Sequence, residues 1–282
     1  MRLVHSVSDL HAELGEWRAR RESVALVPTL GNLHAGHLSL VHRARKLGEC
    51  VAVSVFVNPL QFGPKEDFSR YPRTLEADAE LLRGAGADLL FAPTVEDIYP
   101  GGYPPATLVQ VGGLLTEVLD GALRPGHFTG VATVVNILFN LVRPDVAVFG
   151  EKDWQQLQVV RRMVADLGLP VRIVGEPTAR ADDGLALSSR NQYLSTAERA
   201  RAPKLQAVLR AIAAEIQAGR RDFAALCAEL SAALDAEGFR TQYLEVRAPD
   251  LAPAQAEASS YVILVAAYLG TTRLIDNLSL RL

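Results

Sequence analysis

The sequence predicts an α/β fold, a Rossmann-like doubly wound parallel sheet with a smaller C-terminal α+β domain. Three observations carry this. Up to Pro177, short β-branched runs alternate with amphipathic helical patterns, the signature of βαβ units that cross the sheet before each new strand. Beyond Pro177 the pattern changes to helices followed by three strand-like runs. A chain of 282 residues, 49% hydrophobic and 22% charged, also holds enough apolar material for one large core and a smaller second one.

The β-branched runs place strands near Val24–Pro28, Val51–Val57, Asp88–Ala92, Thr107–Val111, Val146–Phe149 and Val171–Val174. Helical periodicity lies between them, at roughly Asp9–Arg20, His37–Leu47, Leu75–Arg83, Thr129–Leu141 and Trp154–Leu167. Such sheets bind ligands beyond the carboxyl ends of their strands, which directs attention to the loops after Pro28, Val57 and Phe149. The predicted domains are 1–178 and 179–282, with Ala179–Gln192 as the hinge region. In the second, Ser195 followed three residues later by Glu198 has the spacing of a capping box, so a long Ala- and Arg-rich helix is predicted to begin there. A further helix is expected at Phe223–Ala236, then strands near Thr241–Val246, Val262–Ala267 and Thr272–Asn277. There is no internal repeat or low-complexity segment.

Composition narrows the function. The net charge of −3 offers no general attraction to nucleic acid or anionic membrane, so phosphate recognition must be local. No apolar stretch approaches the roughly 20 residues that span a bilayer, and the N-terminus runs directly into polar residues. The expectation is a cytoplasmic protein with neither nucleic-acid nor membrane partners. The two cysteines, Cys50 in a buried strand and Cys227 in an apolar helical pattern, read as small core residues, not as a disulfide or metal site.

The most informative segment is Pro28-Thr29-Leu30-Gly31-Asn32-Leu33-His34-Ala35-Gly36-His37. Two histidines three residues apart lie between a buried strand and the first turn of a helix. Free backbone N–H groups and the positive helix end make such a position an anion site. Gly31 and Gly36 would let the backbone approach a phosphate closely, and the imidazoles can donate to it without the cost of a permanent buried charge. A metal pair is the competing reading, but the loop supplies no third ligand among Cys, His or acidic neighbours. Two ordinary surface histidines are the other. No P-loop and no Gly-x-Gly-x-x-Gly fingerprint occurs, which argues against a P-loop kinase or a dehydrogenase.

Other segments add compatible chemistry. Asn58, Gln61 and Gln156 are neutral amides at predicted strand ends, able to bind hydroxyl and carboxylate oxygens. Ordinary loop polarity is the competing reading for Gln61 and Gln156; were the ligand a carboxylate that must react, an arginine there would hold it more tightly but blunt it as a nucleophile. Gly150-Glu151-Lys152-Asp153 follows a strand and opens a helix. Lys152 offers a compact positive charge for phosphate oxygens, and Asp153 can accept from ribose hydroxyls or cap the helix. In Leu187-Ser188-Ser189-Arg190, two hydroxyls and a guanidinium can bind an anion, and a solvated loop arginine is the competing reading.

His34-Ala35-Gly36-His37 resembles the His-x-Gly-His signature of the nucleotidyltransferase superfamily. Phe56-Val57-Asn58-Pro59-Leu60-Gln61-Phe62, Phe149-Gly150-Glu151-Lys152-Asp153-Trp154-Gln155-Gln156, Leu187-Ser188-Ser189-Arg190-Asn191 and the closing Leu269–Asn277 are similar, in the same order, to the pantothenate synthetase (pantoate–β-alanine ligase) family. The similarity covers essentially the whole chain. It implies a two-step reaction in which pantoate attacks ATP to form pantoyl-adenylate and β-alanine then displaces AMP.

By this resemblance ATP meets Leu30, Gly31, Asn32, Leu33, His34, Ala35, Gly36, His37, Gly150, Glu151, Lys152, Asp153, Ala179, Leu187, Ser188, Ser189 and Arg190. His37, His34, Lys152 and Arg190 would be catalytic, Gln61 would bind pantoate and β-alanine, Gln156 would bind pantoate, and Asn58 would belong to the substrate-binding residues. Mg2+ is implied as the ATP counter-ion without an assigned protein ligand, and a homodimer is implied. The second domain would supply a lid over the hydrolysable intermediate. Leu30 and Leu187 stand where the family pattern has methionine, and Trp154 where it has tyrosine. Of a paired-acid site at Ala77 and Asp78 that some relatives carry, only Asp78 is present. His127, in Gly126-His127-Phe128-Thr129-Gly130, reads as a structural or dimer-side residue. The competing functions are another adenylyltransferase of the superfamily and an inactive nucleotide-sensing module.

Overall fold

The structure, a computed structural model, describes residues 1–64 and 66–282. The chain divides into two compact units, Met1–Glu151 with Gln155–Pro177, and Lys152–Trp154 with Thr178–Leu282.

The first unit is a six-stranded parallel sheet in the order β1-β4-β3-β2-β5-β6. Its strands are β1 (Arg2–Val4), β2 (Val24–Thr29), β3 (Cys50–Val55), β4 (Leu89–Phe91), β5 (Val146–Gly150) and β6 (Arg172–Glu176). Between them lie α1 (Val7–Ala19), α2 (Ala35–Arg45), α3 (Leu75–Gly84), three single turns α4 (Val95–Ile98), α5 (Leu114–Glu117) and α6 (Asp120–Leu123), and the longer α7 (His127–Val142) and α8 (Trp154–Asp166). Side chains alternate along each strand, so the central β2 feeds two cores. Val24 and Leu26 pack with Leu14 of α1, Leu138 of α7 and Met163 of α8. Ala25 and Val27 pack with Val41 of α2 and Leu82 of α3. Helices therefore cover both faces, which is why β2 and β3 read as unbroken apolar runs.

One sequence expectation is corrected here, and one strand is added. Thr107–Val111 is not a strand: Val109 N donates to Thr133 Oγ1 on α7 at 3.0 Å, so this extended segment satisfies its backbone on a helix instead of on the sheet. The edge beside β4 belongs to β1, whose three residues were too few to register as a strand-like run.

The second unit carries an antiparallel sheet β7-β8-β9, formed by Phe239–Arg247, Ser260–Leu269 and Thr272–Arg281. It packs with α10 (Lys204–Gln217) and α11 (Phe223–Ala236) around Leu209, Ile212, Leu226, Tyr261, Ile263 and Val265, and the short α9 (Thr196–Arg201) precedes α10. The capping box is present, with Glu198 N donating to Ser195 Oγ and Ser195 N donating to Glu198 Oε2. The single long helix expected from it is instead two. Pro203, without an N–H and with a ring that clashes against the preceding turn, ends α9 and starts α10. Cys50 opens β3 and Cys227 lies on α11, both as buried free thiols.

The loop after β3 is keyed to α7 by one glycine. A Cβ on Gly130 would lie 2.4 Å from Leu60 O, so the backbone of residues 60 and 61 rests directly on the helix.

Candidate active site

Strand order reverses at β2, which pairs with β3 on one side and β5 on the other. The crossings then leave toward opposite faces and open a crevice at its carboxyl end, where the histidine segment begins. Thr29 closes β2 and donates Oγ1 to Ser54 O at 2.8 Å. Gly31 and Asn32 follow with φ of 84° and 51°, and a Cβ on Gly31 would press on the Asp78 carboxylate at 3.1 Å. Asp78, in the first turns of α3 and 1% exposed, accepts from Asn32 N at 2.9 Å and Leu33 N at 2.8 Å. The free loop amides expected for an anion are thus already turned to a carboxylate. Asp78 is a residue that sequence reasoning weighed only as the remainder of an acidic pair.

His34 is the N-cap of α2. Its Nδ1 accepts from Gly36 N at 3.1 Å, and its own N–H donates to His37 Nδ1 at 3.3 Å, so the two imidazoles form a reciprocal capping box. The rings lie 4.1 Å apart between centroids and are tilted by 42°. Because both Nδ1 atoms accept, each neutral ring carries its proton on Nε2. The pair therefore presents Nε2–H donors at the positive end of a helix, an arrangement suited to phosphate oxygens.

Asn58, expected to touch substrate, is fully enclosed. Its Oδ1 accepts from Tyr99 Oη at 2.7 Å and Leu60 N at 3.2 Å, while Nδ2 donates to Gly130 O and Gln61 Oε1, both at 3.1 Å. All its hydrogen-bonding capacity serves the loop. Gln61 is consequently oriented: with Oε1 held by Asn58, its amide NH2 is the end turned away. The Gln61 carbonyl is held from the other side by His127 Nδ1 at 2.7 Å. Gln156 is half-buried on the first turn of α8. Its neighbour Gln155, which sequence reasoning passed over, is buried and holds the α5–α6 stretch, donating to Leu115 O and Val118 O and accepting from Asp120 N. The available signal was its position four residues before Val159, on the helix face that Val159 buries.

Gly150 ends β5 and Glu151 belongs to the first unit, its carboxyl raised by burial. In the second unit, Lys152 Nζ stands 4.0 Å from Asp153 Oδ2, a loose pair, and Asn277 Nδ2 donates to Lys152 O at 2.8 Å. Ala179 O accepts from Leu187 N at 2.9 Å, and Ser188 Oγ caps the short turn Ser189–Tyr193 by accepting from Arg190 N at 3.3 Å. Ser189 and Arg190 are half-buried there.

A crevice at the reversal of a parallel sheet, entered by a capped helix with histidine donors and flanked by an oriented amide, defines an α/β enzyme acting on small molecules. The chain belongs to the pantoate–β-alanine ligase family, whose profile matches residues 2–279, and it is a ligase. It is 56% identical to the pantothenate synthetase of Pseudomonas entomophila, over 100% of this chain and 98% of that one. The crystal structure of pantothenate synthetase from Thermus thermophilus superimposes with a TM-score of 0.92 at 53% identity, covering 99% of both chains. Pantoate-beta-alanine ligase from Francisella tularensis, complexed with beta-gamma ATP and beta-alanine, matches with a TM-score of 0.83 at 32% identity, over 99% of this chain and 97% of that one.

The clamp on Gln61 predicts a pH response. Burial, then the nearby Arg124 charge, pushes His127 down to about 4, against weaker opposing effects from its bond to Gln61 O and from Asp120 and Glu66. Arg124 Nη1 donates to His127 Nε2 at 2.9 Å while its Nε and Nη2 hold Glu66, so the ring is neutral with its proton on Nδ1. A histidine held below its ordinary value of about 6.5 binds fewer protons folded than unfolded. Its contribution is intact above about pH 6.5 and falls as pH drops toward about 4, by roughly 3 kcal/mol at most. Thermal melts across pH 4–7 should show this loss, and His127→Gln should flatten it. Parallel profiles for the two proteins would contradict the assignment.

Proposed function

We propose that the condensation of pantoate with β-alanine runs here in two steps through pantoyl-adenylate. The pantoate carboxylate attacks the α-phosphate of ATP and pyrophosphate leaves. The β-alanine amine then attacks the acyl carbon, AMP departs with the former carboxylate oxygen, and the amine proton is released. The observation that carries this reading is the His34–His37 capping box, which fixes two Nε2–H donors at the start of α2. Negative charge builds on the α-phosphate and on the bridging oxygen as pyrophosphate leaves, so neutral donors gain strength in the transition state. In the second unit, Lys152 and Arg190 supply full positive charge for the departing pyrophosphate, with the Ser188 and Ser189 hydroxyls beside Arg190.

Gln61 donates its amide NH2 to pantoate and lies toward β-alanine, and Gln156 donates to pantoate. Neutral partners leave the carboxylate reactive. The ATP complex of the Francisella tularensis relative supports ATP as the activating substrate. Mg2+ enters as the counter-ion of ATP. Among the described residues, no group of three or more His, Cys, Asp or Glu is arranged to hold a metal. We propose further that the enzyme is cytoplasmic and a homodimer, as the family resemblance implies. No helix among the described residues is long and apolar enough to cross a membrane.

Incubation with ATP, Mg2+, pantoate and β-alanine should yield AMP only when both organic substrates are present. ADP, or a dinucleotide in place of free AMP, would overturn the reading. His37→Ala should lower the rate of adenylate formation at saturating substrates by about 100-fold, roughly 3 kcal/mol, with a smaller effect on ATP affinity. Pre-steady-state measurement beside a thermal melt decides this, since a folded variant forming adenylate at the wild-type rate would remove His37 from the chemistry.

A further inference from the structure

Strand β9 of the second unit carries two adjacent buried polar residues, Asp276 and Asn277. Each holds a different segment of the candidate site. The Asp276 carboxylate, 2% exposed, takes the Arg180 guanidinium at 2.6 Å and 2.9 Å. Arg180 also donates to Asn277 O at 3.2 Å and to Gly184 O at 3.1 Å. Through this pair the root of the segment ending in Ser188-Ser189-Arg190 is held on β9. The bridge between Arg180 and Ala186 and the bond from Leu187 N to Ala179 O carry the restraint along to Ser188. The neighbouring Asn277 reaches the other way and donates Nδ2 to Lys152 O at 2.8 Å. Trp154 Nε1, donating to Pro249 O at 2.9 Å, anchors the far end of the same three-residue excursion.

A core position that buries an amide and a carboxylate side by side bears a desolvation cost that a leucine pair would not. Alternation along a strand points neighbouring side chains to opposite faces, which is what one clamp on two chain segments requires. We propose that Asn277 is a positioning residue of the adenylation step. It sets the backbone of Lys152 in register with the Arg190 segment, which Asp276 holds, so that the two cations form one preset clamp for the phosphate chain. This rests on the reading of Lys152 and Arg190 as phosphate-binding groups. Preset charges need no reorganisation as pyrophosphate leaves, and the benefit belongs to that step alone. Transfer of the acyl group to the amine takes place after pyrophosphate has gone.

The test is a double-mutant cycle on Lys152→Ala and Asn277→Ala, with single-turnover rates for each half-reaction and a melt of every variant. Asn277→Ala should slow adenylate formation at least about tenfold, the scale of loss that a small misplacement of a binding group brings. It should leave transfer from preformed pantoyl-adenylate to β-alanine within about twofold. In the Lys152→Ala background the same substitution should cost adenylation almost nothing further, because its effect passes through Lys152. A purely structural role would slow both half-reactions or add its full penalty in both backgrounds, and either result overturns the proposal. If Lys152→Ala alone leaves adenylation unchanged, the phosphate-binding reading of Lys152 fails first, and the positioning role falls with it.

Discussion

Parallel strands oblige the chain to cross the sheet after each one, and in the first unit those crossings go to opposite faces on the two sides of β2. Helices α2 and α3, which follow β2 and β3, lie on one face, and α7 and α8, which flank β5, lie on the other. The carboxyl end of β2 is left uncovered between them. The loop that emerges there must turn sharply, and Gly31 and Asn32 do so with positive φ. That turn aims two amides at a single point, where a buried carboxylate meets them. The Asp78 bonds fix the loop, the loop fixes His34 as the N-cap of α2, and the cap fixes the proton on Nε2 of both rings.

The electrostatic character of the site follows from the same local geometry. Loop amides are strong donors, and left open they would bind whatever anion arrived. Satisfying them internally with Asp78 leaves recognition to side chains with defined direction. A neutral imidazole donates one directed hydrogen bond and bears none of the desolvation cost of a buried cation. Gln61 is handled in the same way. Asn58 sets its amide and His127 holds its carbonyl, so a side chain that could rotate freely in a loop has one orientation.

Much of this was legible in the sequence because it depends on local pattern. The α/β alternation, five of the six predicted strands of the first unit, the strands of the second and α11 to the residue follow from periodicity and chain punctuation. The histidine pair was legible because its spacing and its place after a strand are themselves local. What the local pattern did not show involves partners distant in sequence. Thr107–Val111 has strand composition, but its backbone is satisfied by Thr133 on a helix. Asn58 looks like any loop amide until Tyr99 and Gly130 enclose it. Asp78 and Gln155 act on backbone groups more than thirty residues away, which no spacing rule reaches. Pro203 carries a local signal as well, since a proline inside a helical run ends the helix before it.

If the pantoate carboxylate itself attacks ATP, one of its oxygens leaves with the nucleotide. Pantoate labelled with 18O in the carboxylate tests this directly, with the AMP and pyrophosphate products of a complete reaction analysed by mass spectrometry. Acyl-adenylate formation places one label on the phosphate of AMP and none on pyrophosphate. AMP free of label would show that the carboxylate oxygen never bonded to the α-phosphate, and would contradict the account.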